Sequence, residues 1–199
     1  MDTLGLEQVK QYVLHRLEKD LSPKLLYHGV SHTRDDVVPA VKTLANMEGI
    51  NGASYYLLLT AAWFHDLGFI EVRTGHEAVG ARIASEVLSN LGQNLEQIQI
   101  VKNIIMVTML PQSPNTNLER IMADADLEVL GRDDFLFRND NLRHELAFFG
   151  QGYTDSEWYL GQLKFVESHS YFTDSARKLW NAGKTKNVIN LRNKLADIK

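Results

Sequence analysis

The chain has 199 residues, a formal net charge of −4 from 21 Lys and Arg against 25 Asp and Glu, and no cysteine. Zero cysteines exclude disulfides, thiolate metal sites and a thiol nucleophile, and they fit a reducing cytoplasm. The acidic balance argues against extended nucleic acid or an anionic membrane as partner, and leaves room for a local basic pocket that takes a small phosphate.

A hydrophobic share of 44% and a charged share of 23% are ordinary for a soluble globular protein. The length suits one domain over 1–199, burying about 70% of the unfolded surface. No apolar run approaches the roughly 20 residues that span a bilayer. The stretch MDTLGLEQVK has neither a basic start nor an apolar core, so no secretory signal is expected there.

Four prolines and no sustained strand-like alternation predict an all-α chain. Asp2 or Thr3 can cap a first helix whose apolar face runs Leu6, Val9, Val13, Leu17 and Leu21, ended by Ser22-Pro23. In LLYHGVSHTRDDVVPAV, Gly29 breaks the pattern and Ser31 is the N-cap candidate, which puts His32 in the first turn of a second helix. Val37, Val38, Val41, Leu44 and Ala45 face inward there, and Pro39, which lacks a backbone donor, predicts a kink or an interruption. His28 and His32 stand four apart, the spacing of one helix face, with Gly29 between them.

Leu57 to Phe69, LLLTAAWFHDLGF, reads as a helix apolar almost all round, with His65-Asp66 near its C-terminal end and Gly68 where a helix stop belongs. Such a helix is buried, and a buried histidine beside a carboxylate is costly unless something pairs with them. A metal ion does so, since neutral imidazole and carboxylate are both ligands. Adjacent helical positions diverge by about 100°, so both side chains can reach one ion beyond the helix end.

Downstream, Thr74 or Gly75 starts GHEAVGARIASEVLSNLG, with Val79, Ile83 and Val87 or Leu88 at helical spacing and Gly92 as the stop. Leu95 to Leu110 is another helix, PQSPNTN the clearest loop, and Asn117 the cap of LERIMADADLEVLG. Asp124 and Asp126 lie two apart there, about 200° on a helix, so they point in roughly opposite directions. Three or four helices fill the remainder, with Leu142, Leu146 and Phe149 on one side of LRHELAFFG. In the next segment Trp158, Leu160, Leu163 and Val166 face a core, and a basic amphipathic surface helix ends the chain.

His32, His65-Asp66 and then Asp124 or Asp126, each on a different predicted helix, give the order H…HD…D. That order, with YHGVSHTRDDVVPAV, AAWFHDLGF, TGHEAVGARIASEVL and IMADADLEVLG around it, resembles the HD superfamily of metal-dependent phosphohydrolases over about 25–175. The resemblance implies a multi-helix HD bundle, and hydrolysis of a phosphomonoester or phosphodiester of a nucleotide or similar small phosphate. A binding-only regulatory HD module is the alternative, and a di-iron oxygenase needs more histidines than this chain has. The implied ligands are His32, His65, Asp66 and Asp124, holding one divalent ion (Mn, Fe, Co, Ni, Zn or Mg) with two positions open for water and phosphate.

The resemblance also implies that Asp66 orients the attacking water and that Asp126 holds a histidine or caps a neighbouring helix from behind the ligands. Dinuclear relatives carry extra histidines before the last Asp; here that interval holds only His76, so one metal is expected. His76 and Glu77 are candidates to support a ligand or meet the phosphate, and Arg73, Lys102 and Arg132 are candidate phosphate clamps.

Overall fold

Apolar residues recurring every three or four positions fold into helices, and where nearly every position is apolar the helix goes to the centre. The computed structural model describes residues 3–198, with nine α-helices and no strand among them. No described helix is long and apolar enough to cross a membrane. The all-α expectation is met.

Helix α1 spans Thr3–Asp20, and its Val9, Val13 and Leu17 are buried; the cap expected at Asp2 or Thr3 lies outside the described residues and side chains. A π-helical turn, His32–Val37, runs directly into α2, Val38–Met47. Pro39 sits at the start of α2, where its missing N–H is tolerated, and the widened turn before it takes the place of a kink. Ser31 is itself helical and makes no side-chain cap, so His32 lies within a turn of π-helix rather than behind a capped start.

Helix α3, Gly52–Phe64, is the centre: every residue from Leu57 to Phe64 is buried. It packs against α1, α2, α4 (His76–Asn90), α5 (Leu95–Met106) and α6 (Asn117–Asp126). Each fully buried Leu or Phe contributes about 1.5–3 kcal/mol, so α3 is fixed by its surroundings along its whole inner length. A satellite core of Val129, Leu130, Phe135, Val166 and Leu191 joins the 3₁₀ turn Glu128–Gly131 to α7 (Phe135–Phe148), α8 (Asp155–Ser168) and α9 (Asp174–Ala196).

Several boundaries move from their expected places. Helix α5 stops at Met106 rather than Leu110. Thr116, not Asn117, caps α6: its hydroxyl accepts from the Glu119 amide, and Glu119 accepts from the Thr116 amide in return. Gly92 ends α4 as expected, at φ +74°. Leu160 faces out at 43% exposure, whereas Trp158 and Val166 are buried.

Gly68 is no helix stop. Helix α3 ends at Phe64, and Gly68 falls in a 3₁₀ turn, Leu67–Ile70. A Cβ there would lie 1.9 Å from the His76 carbonyl oxygen. The residue is glycine because the start of α4 presses against the chain just after Asp66.

Candidate metal centre

The end of α3 delivers His65 as the residue after its last turn, fully buried, with Asp66 next at φ −102°, ψ 1°. His65 Nδ1 lies 2.8 Å from the Ala62 carbonyl, which can only accept, so Nδ1 donates and Nε2 of the neutral ring keeps its lone pair. The π-helical turn brings in His32, whose Nε2 lies 3.6 Å from Asp66 Oδ2. Asp36 Oδ2 sits 3.9 Å from His32 Nδ1 and favours a proton on that nitrogen, leaving Nε2 as the donor atom.

The carboxylate that faces these histidines is Asp126, where the resemblance implied Asp124. Asp126 Oδ1 lies 3.5 Å from Nε2 of both His32 and His65. Asp124 is fully buried but faces the other way. Its Oδ1 accepts from the Phe172 amide (2.7 Å), and its Oδ2 from the Thr173 amide and hydroxyl (2.8 and 2.7 Å). Asp124 therefore fixes the segment that leads into α9. Burial pushes its pKa up while these donors pull it down, and burial prevails.

Whether these residues fit a cation is answered by the atoms themselves. His65 Nε2 and Asp66 Oδ2 are buried with no hydrogen-bond partner, although they lie 3.3 Å apart. The donor atoms of His32, His65 and Asp66 all fall within 4.8 Å of one another. Asp126 stands beside that group of three, with its Oδ1 3.5 Å from Nε2 of both histidines. Two imidazole lone pairs and two carboxylates are a donor set for a divalent ion. The electrostatics agree: burial works against charge on His32, yet Asp126, Asp36 and Asp66 push its pKa up to about 10. Burial likewise opposes charge on Asp66, which its histidine neighbours hold well below the usual carboxylate range.

The other expected residues divide. His76 belongs: Nε2 is 3.4 Å from Asp66 Oδ1, Nδ1 donates to the Arg73 carbonyl at 3.0 Å, and the ring stacks on Phe69 with centroids 3.8 Å apart. Buried Glu77 lies 3.6 Å from His76 Nδ1. Arg73 lines the adjoining cleft of about 650 Å³, as do His32, Asp66, His76, Glu77 and Asp126. Lys102 and Arg132 do not line it. The Arg132 guanidinium is taken up by Asp134, Asp36 and Glu128 at 2.7–2.9 Å, so it braces the carboxylate behind His32 and is no phosphate clamp.

Sequence reasoning assigned no role to His28 or Glu145. Glu145, 1% exposed, accepts from the amides of Tyr27 and His28 and lies 2.6 Å from His28 Nδ1, while the His28 ring lines the cleft and stacks on Phe69. The spacing of four between His28 and His32 was the available signal; nothing local marks Glu145, 117 residues away. Compared with known proteins, the chain matches no family model, no curated protein and no solved structure.

Proposed function

We propose that the chain is a metal-dependent phosphohydrolase of the HD type, holding one divalent ion with His32, His65, Asp66 and Asp126. The observation that carries this reading is the pair of buried, unpartnered atoms, His65 Nε2 and Asp66 Oδ2, in a three-residue group with His32 that Asp126 Oδ1 adjoins at 3.5 Å. The sequence order H…HD…D supports it with Asp126 in the last place. A divalent ion there lowers the pKa of a bound water and polarises a phosphoryl oxygen.

The chain's own groups do the rest. Asp66 has its Oδ2 among the donors and its Oδ1 toward His76, which steadies the carboxylate against rotation. Arg73, on the cleft wall, supplies positive charge to a bound phosphate. His28, held by Glu145 through Nδ1, keeps Nε2 as an atom that can hold a proton for a departing oxygen.

The test is hydrolysis of a generic aryl phosphate after chelation and stepwise return of Mn, Fe, Co, Ni, Zn or Mg. Activity is expected only with metal and is expected to vanish in His32→Ala. Tight phosphate-ester binding without turnover across those metals would instead make the chain a binding module.

A further inference from the structure

We infer that the cleft selects a phosphoester whose body is an apolar chain or ring, in preference to a nucleoside; this rests on the phosphohydrolase reading for its reactive end. A volume of about 650 Å³ falls in the range that encloses most of a small ligand, about 300–1,000 Å³. One part of the lining is the charged donor cluster. Leu127 at the end of α6, together with the 3₁₀ turn after it, α7 and α8, lines another part, with Leu130, Phe135, Leu142, Leu146 and Phe165.

Asn139 and Gln162 are the polar side chains on those walls, and they are bonded to each other. Asn139 donates to Gln162 at 2.6 Å and accepts from the Trp158 indole at 2.6 Å, and the Thr108 hydroxyl donates to the Ile105 carbonyl at 2.9 Å. A base edge or a ribose entering this space gives up its hydrogen bonds to water and finds few replacements, which strongly disfavours it. An alkyl or aryl body gives up nothing and gains contact.

Charge is placed for a head group and not for a long anion. Arg73 is the one Lys or Arg on the described lining; its Nε is buried without a partner and its guanidinium lies 4.1 Å from the Phe149 ring centroid. One cationic side chain and one divalent ion suit a single phosphate.

The experiment measures binding of Mn²⁺-loaded protein to methyl-, butyl-, hexyl- and octylphosphonate and to AMP by calorimetry, with hydrolysis of octyl phosphate and AMP followed alongside. Affinity is expected to rise up to about fourfold per methylene until the apolar wall is covered, and octylphosphonate to bind more tightly than AMP. Leu142→Gln and Leu146→Gln, both half-buried, are expected to flatten that ladder while keeping Mn²⁺ and the affinity for methylphosphonate. A flat ladder in the unaltered protein, tighter AMP, or no phosphonate binding overturns the inference. A steep ladder without hydrolysis of either ester leaves the inference standing and removes the phosphohydrolase reading; fast AMP hydrolysis with a flat ladder does the reverse.

Discussion

Two aspartates two residues apart at the end of α6 face opposite ways, and each can be removed separately. Asp126→Asn takes a charged donor from the cluster, and the variant is expected to lose its divalent ion on dialysis, as are His65→Ala and Asp66→Ala. Asp124→Asn is expected to keep the ion. It sets an amide NH₂ against one of the donors that Asp124 now satisfies, so it should cost about 1–3 kcal/mol of stability. Elemental analysis with thermal unfolding of both variants checks this, and metal loss in Asp124→Asn with retention in Asp126→Asn would reverse the assignment. The sequence did reveal that the two could not share a site, because positions two apart on a helix diverge by about 200°. It did not reveal which one turns inward. That choice is made by the amides of Phe172 and Thr173, 48 and 49 residues further on, which claim Asp124.

Between elements, the site depends on how closely α4 approaches the turn after Asp66. Gly68→Ala places a methyl group against the His76 carbonyl, 1.9 Å from its oxygen, so backbone must move and His76 with it. Overpacking of this kind costs about 1–3 kcal/mol, and the same variant is expected to hold its ion less tightly. Gly161→Ala is the control. It lies inside α8 with open space around it, so it is expected to raise stability by about 0.5–1 kcal/mol and leave the ion unaffected. Paired melting curves and metal titrations decide; equal effects at both positions would refute the close-approach argument. Helix existence was legible from periodicity in α1 and from a nearly unbroken apolar run in α3. Gly68 was misread because a glycine after an apolar helix looks the same whether it serves a left-handed cap or a close contact.

Across the whole molecule, Glu145 ties α7 to the loop before His32, joining parts of the chain 117 and 118 residues apart. Burial raises its pKa, but the bonds from His28 and Tyr27 prevail and hold it below its ordinary 4.5. A folded value below the unfolded one means that the stabilisation is present above about 4.5 and is lost as pH falls through the lower, folded value. Glu145→Gln is therefore expected to unfold with less dependence on acid in that window, read by circular dichroism; an unchanged acid transition would contradict it. The cleft lined by His28, which Glu145 holds, was not legible in the sequence. Leu142 and Leu146 carry an ordinary helical pattern, and only the arrangement of α7 and α8 turns that face toward a cleft instead of the core. Anomalous diffraction from crystals grown with Mn²⁺ decides whether the four donors share one ion. A peak about 2.0–2.4 Å from His32 Nε2, His65 Nε2, Asp66 Oδ2 and Asp126 Oδ1 is the predicted result; no peak there, or one beside Asp124, would contradict it.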